Sequence, residues 1–173
     1  MKYYTGVGSR QTPPNVLRLM TDIARFLCET GYILRSGGAP GADFYFEAGV
    51  SGRTKKEIYI PWKDFNGSGS LKYRVTDEAL KLAAKFHPAF DRLSYGARKL
   101  MGRNGYQVLG LGLNTPSDFL ICWTKNGKET GGTAQAIRIA RSRYIPVYNL
   151  FFETHVEYIK SWITNNQVTI GVL

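Results

Sequence analysis

The sequence predicts an α/β fold of the Rossmann-like type: one doubly wound, mainly parallel sheet of about five or six strands, with helices on both faces. Three observations predict it. Strand-like and helix-like segments alternate along the whole chain, as a parallel sheet with crossover helices requires. One segment, "SDFLICW" (117–123), is apolar on successive residues, which suits a central strand covered on both sides. The length of 173 residues, with 43% hydrophobic and 21% charged residues, suits one packed domain.

The elements follow in order. "KYYTGV" (2–7) reads as a short, aromatic-rich first strand, and "GSRQTPP" (8–14) as its loop, with Pro13 and Pro14 suited to a helix entry. In "NVLRLMTDIARFLCET" (15–30), Val16, Met20, Ile23 and Leu27 recur at helical spacing, and Gly31 stops the helix. "YILRS" (32–36) is a second strand, "GGAPGAD" (37–43) its loop and "DFYFEAGVS" (43–51) a short helix. "EIYIPW" (57–62) is a third strand ended by Pro61. The segment from about 62 to 96 reads as a loop–helix insertion into a single domain spanning 1–173. Within it, "TDEALKLAAKF" is a helix capped by Thr76 or Asp77 and broken by Pro88. "AFDRLSYGARKLM" (89–101) reads as helical, with Phe90, Leu93, Ala97 and Leu100 on one face. "SDFLICW" is the fourth strand, "TKNGKETGGT" (124–133) a loop, "AQAIRIARSR" a helix and "IPVYNL" a fifth strand. "FETHVEYIKSWITN" places Phe152, Val156, Ile159 and Ile163 on one helical face, and "VTIGVL" (168–173) reads as a further edge strand.

Composition excludes several classes. No run of eighteen apolar residues is present, so no membrane partner is expected. "MKYYTGVGSR" lacks the apolar region of a signal peptide. Cys28 and Cys122 lie in apolar surroundings and read as reduced thiols of a cytoplasmic protein. His87 and His155 are isolated and match no metal-ligand spacing, so no metal and no resident cofactor are expected. The net charge of +10 favours phosphate-bearing or polyanionic partners, although the basic residues are scattered and a solvated basic surface accounts for them equally well.

Three loops carry the functional signal: "GSRQTPP", "GGAPGAD" and "NGKETGGT". Each follows a strand and precedes a helix, so all three fall at the carboxyl edge of the sheet, where open α/β sheets bind ligands. Helix N-termini there offer unpaired N–H groups and partial positive charge, and glycine lets an anion come close. The plain alternative is that the glycines only make tight turns. No loop is a P-loop, and none fits the G-x-G-x-x-G dinucleotide pattern.

"GSR" after the first strand, "SGGAPGAD" after the second, and "GGT" followed by "AQAIRIA" before "IPV" together resemble the SLOG superfamily. That superfamily includes the Rossmann-like domain of DNA-processing protein A and the lonely-guy phosphoribohydrolases. "RNGYQVLG" resembles an element of its small phage and bacterial single-domain members. The resemblance covers roughly the first 150 residues, broken by the segment from Trp62 to about Gly96. It implies a nucleotide or nucleic-acid phosphate site built from Gly8, Ser9, Arg10, Ser36, Gly37, Gly38, Gly131, Gly132 and Thr133, with the planar fork of Arg10 on phosphate. It also implies a phosphate-contacting arginine near the end of the helix holding Arg98 and Arg103, with Arg103, followed by Asn104, facing the site. Two departures stand out. The phosphoribohydrolases carry a glutamate three residues past the threonine, and here that position is Ala136, preceded by Gln135. The DNA-processing proteins usually have extra domains, for which this chain is too short. SLOG-like domains often pair, so a homodimer is compatible with the resemblance.

Candidate catalytic residues are Asp43 and Glu47, four apart at the start of one helix and so on one face. Beside a ribose such a pair could activate water or stabilise an oxocarbenium-like transition state. Asp43 also suits a helix-start or ribose-binding role. Glu129 is an alternative acid. Trp62, Phe65 and Tyr73 are candidates for stacking a base, although aromatics after a strand more often pack internally. The leading expectation is a protein that binds a small nucleotide derivative, ADP-ribose-like or a nucleoside monophosphate, either sequestering it or hydrolysing its N-glycosidic bond. The alternative is single-stranded DNA binding of the DNA-processing protein A type.

Overall fold

The computed structural model describes residues 1–170 and shows five strands and six α-helices. In chain order these are β1 (Lys2–Gly6), α1 (Pro14–Glu29), β2 (Tyr32–Ser36), α2 (Ala42–Ala48), β3 (Lys56–Ile58), α3 (Asp77–Phe86), α4 (Tyr95–Leu109), β4 (Phe119–Cys122), α5 (Gly131–Ser142), β5 (Val147–Asn149) and α6 (Glu153–Ile170). The sheet order is β3-β2-β1-β4-β5, and every pairing is parallel. The α/β, doubly wound expectation holds. β1 neighbours β2 on one side and β4 on the other, so the order reverses between β1 and β4. That pair of strand ends is the topological switch point, where ligands bind in open α/β sheets.

Alternation along the strands divides the core in two. Tyr4 and Ile121 face α1, α2 and α6, packing with Met20, Ile23, Phe46, Val156 and Ile159. Leu120 and Cys122 face α4 and α5, packing with Val108, Leu109, Ala136, Ile137 and Ala140. β4 is therefore buried on both faces, which is why its sequence is apolar without alternation.

Two expectations are corrected. The helix read over 89–101 is a 3₁₀ turn (Phe90–Arg92) followed by α4, whose start is set by the Ser94 hydroxyl accepting from the Ala97 N–H at 3.3 Å. α4 then continues through "RNGYQVL" to Leu109. Gly102 and Gly105 lower helix propensity there. Packing demands them: a methyl on Gly102 would stand 2.6 Å from Val75, and one on Gly105 would stand 3.0 Å from Leu82. The edge strand read over 168–173 is also absent from the sheet. Val168–Ile170 continue α6, and the last three residues lie outside the described residues. Among the described residues, no helix is long and apolar enough to cross a membrane.

Candidate functional site

The carboxyl ends of β1, β2 and β4 open into one pocket of about 490 Å³. The first loop is folded onto the end of β4 by the Ser9 N–H donating to Trp123 O at 3.1 Å, and is tightened by the Thr12 hydroxyl donating to Ser9 O at 2.7 Å. The second loop presses against it. Gly41 has φ +84°, and a Cβ there would come within 2.8 Å of Arg10 Cα, so the contact between the two loops needs glycine. The third loop leads into α5, whose N-cap residue Thr130 makes no side-chain cap. No acidic residue lies in the first turn of α5, so Gly131, Gly132 and Thr133 present helix-start N–H groups to the pocket without a carboxylate to neutralise them.

α4 supplies the pocket wall. Leu100, Arg103, Asn104 and Gln107 fall on one face at helical spacing, and all four line the cavity. Arg103 is only 7% exposed, and Asp43 is 4% exposed. Their closest approach, Nη1 to Oδ2, is 3.7 Å, close enough for charge attraction and too long for a hydrogen bond. The Asp43 carboxylate accepts from the Ala39 N–H at 3.3 Å. Burial raises the Asp43 pKa above its ordinary 3.8, with Arg103 opposing that rise. Burial also lowers the Arg103 pKa, and Arg10, another cation facing the same space, pushes it the same way.

Gln107 holds this arrangement together. In the amide orientation that satisfies its neighbours, its oxygen accepts from Arg103 Nη1 and from the Gly37 N–H, both at 2.8 Å, and its nitrogen donates to Asn104 Oδ1 at 2.7 Å. The Asn104 amide in turn donates to Gly132 O at 3.0 Å. One run of side-chain hydrogen bonds thus ties the second loop, α4 and the start of α5. Arg103 Nε is buried and has no partner among the described residues. A buried, unpaired donor on a cation costs stability unless something else accepts from it.

Gly8, Ser9, Arg10, Asp43, Arg103, Asn104, Gly131, Gly132 and Thr133 all line the pocket, so the structure brings most of the sequence-derived candidates together. Ser36, Gly37 and Gly38 do not line it. The Ser36 hydroxyl donates to Gly6 O at 2.7 Å, Gly37 underlies Arg103, and Gly38 packs beside Ile60. Asp43 and Glu47 are not gathered at one centre: Glu47 lies outside the lining and pairs with Lys56 at 3.0 Å. Glu129 is held by Arg141. Ala136 does line the pocket, so the position to which the resemblance would assign an acid carries a methyl. Among the described residues no cluster of His, Cys, Asp and Glu could hold a metal ion.

Sequence reasoning missed Gln107 and Lys125. Gln107 follows Arg103 by four residues, a signal visible only if the helix is known to run that far. Lys125 lies three residues past the end of β4 and adds a third cation to the lining, beside Arg10 and Arg103, with Asp43 as the single acid among the described residues of the lining.

The one acid facing three cations makes anion affinity depend on pH. Above its raised pKa Asp43 is a carboxylate that cancels part of the positive field; below it the carboxyl is neutral and the field rises. An anion whose charge does not titrate in this range, such as a phosphodiester, is expected to be held more tightly as pH falls from neutral into the Asp43 transition, which burial moves up from 3.8. Asp43→Asn should bind more tightly at neutral pH and lose that part of the dependence. Fluorescence anisotropy across pH reads both, and identical profiles for the two proteins would refute the assignment.

No family model matches the chain, and no curated protein matches it. Among solved structures, one of DNA processing protein A from Helicobacter pylori, described for its unique single-stranded DNA binding mode, covers 98% of this chain and 81% of that chain. The TM-score is 0.58 at 18% sequence identity. At that identity the likeness establishes the fold: this chain has the Rossmann-type architecture of a DNA-processing protein A domain.

Proposed function

We propose that this protein binds single-stranded DNA by gripping a backbone phosphate in the pocket at the β1–β4 switch point. The observation that carries the reading is the convergence of Arg10, Arg103 and Lys125 with the cap-free start of α5 around one cavity that contains a single carboxylate. The unpaired Nε of buried Arg103 is a donor in want of an acceptor, and a phosphate oxygen supplies one. The net charge of +10 supports attraction of a polyanion, and the fold likeness to a protein described for single-stranded DNA binding supports the choice of polymer. The three motifs read from the sequence make the SLOG superfamily our proposed home for the chain.

Anisotropy with a labelled oligothymidylate tests it. Each phosphate neutralised contributes about −0.7 to the log–log salt slope for a single strand, so one gripped phosphate predicts a slope at least that steep. Stronger binding to duplex of the same length, or no binding to the single strand at low salt, would overturn the reading.

A second reading places a free nucleotide, ADP-ribose-like or a nucleoside monophosphate, in the same pocket. The volume of about 490 Å³ favours it, since small-molecule sites commonly span about 300–1,000 Å³. Turnover under this reading rests on Asp43 alone, because Glu47 is occupied by Lys56. A thermal shift with such nucleotides that inorganic phosphate does not reproduce would favour it over the polymer.

A further inference from the structure

We propose that Trp62 is a base-stacking shelf at the mouth of the phosphate pocket, taking the nucleobase next to the phosphate that Arg103 holds. This rests on the reading of the pocket as a site for single-stranded nucleic acid.

The pocket-lining stripe of Gln107, Arg103 and Leu100 continues by one further helical turn to Gly96. Gly96 has no side chain, and Trp62 lies over that position: a methyl there would be 3.8 Å from its Cζ3. Trp62 is therefore the next surface along the same wall, about 6 Å of helix rise beyond Leu100. A second link runs from the cation outward. The Arg103 guanidinium lies 5.8 Å from the Phe65 ring centre, and Phe65 meets Trp62 edge to face at 5.1 Å. Phe65 is buried and acts as the support, whereas Trp62 is 39% exposed.

The surroundings select the occupant. Tyr95, 68% exposed at the start of α4, carries Lys99 Nζ 4.7 Å from its ring centre, and the exposed Lys63 follows Trp62 directly. An exposed indole one turn of α4 beyond a cationic pocket, with Lys63 next to it in the chain, matches a flat base attached to phosphates. An apolar protein partner would be met by the same lysines unpaired. Any base has a π face, so the shelf should be tolerant of sequence. The other two tryptophans are placed differently. Trp123 is buried, and Trp162 packs edge-on against Phe26 and Phe119.

The test compares an oligothymidylate with an abasic oligonucleotide of the same length and charge. Wild-type protein should prefer the base-bearing strand, and its tryptophan emission should quench on binding that strand. Trp62→Ala should lose about tenfold in affinity for the oligothymidylate, lose the quench, and leave abasic binding unchanged; Trp62→Phe should keep most of the preference. Tyr144→Ala, an exposed aromatic at the far end of α5, should change nothing. The shelf is overturned if wild type binds both strands equally, if Trp62→Ala keeps the preference, or if Tyr144→Ala loses it too. If wild type binds neither strand, the single-stranded reading beneath it fails and the shelf goes with it.

Discussion

Arg103→Met is expected to abolish oligonucleotide binding and to destabilise the protein by about 3 kcal/mol, while Arg103→Met combined with Asp43→Asn should restore the stability and leave binding abolished. The effect is electrostatic. Removing one member of a buried pair strands the other as an unpaired charge, which typically costs about 3–5 kcal/mol. Asp43 should fall at the low end, because its raised pKa lets the carboxyl take up a proton instead. For a domain of this size that loss lowers the melting temperature by about 6–12 °C. Replacing both partners removes the stranded charge, so the two substitutions should be strongly non-additive in stability. They should not be so in binding, since the phosphate donor is gone in both proteins. Urea or thermal melts together with anisotropy separate the outcomes. A double variant that regains affinity would show that Arg103 serves the fold and not the ligand.

Gly37→Ala should weaken binding at least tenfold with a smaller loss of stability, about 1–3 kcal/mol. The backbone at Gly37 is not in the left-handed region, so the strain is in packing alone. A methyl there would fall onto the Arg103 guanidinium and the Gln107 amide, both buried against the second loop. The guanidinium must turn away, and the N–H of residue 37 loses its alignment with Gln107. Unchanged affinity in the alanine variant would mean that the guanidinium has room to bind phosphate from another position.

Much of this architecture was legible because hydrophobic period and turn residues act locally. "SDFLICW" declared a doubly buried strand by its unbroken apolar run, and α1 declared itself by Val16, Met20, Ile23 and Leu27. The convergence of three loops followed from strand–helix alternation, since parallel strands all end at one edge. The helix read to Met101 stopped short of α4's end at Leu109, where Gly102 and Gly105 lower helix propensity and only contact with Val75, Leu80, Leu82 and Leu113 accounts for them. With its length went Gln107, whose role needs the helix to reach it. Glu47 was paired with Asp43 by spacing, but spacing cannot see Lys56 arriving from β3 to take it.

The sequence by itself determined the class of fold, the sheet edge at which the three glycine-bearing loops gather and the net positive charge of the chain, because those depend on periodicity, turn residues and composition. Only the tertiary structure decided what fills the space beside Gly37. The small residues of "GGAPGAD" invite a close approach, and at Gly37 the approaching group is a guanidinium from a helix more than sixty residues away. No local pattern encodes that meeting, because it is fixed by how α4 packs across the sheet.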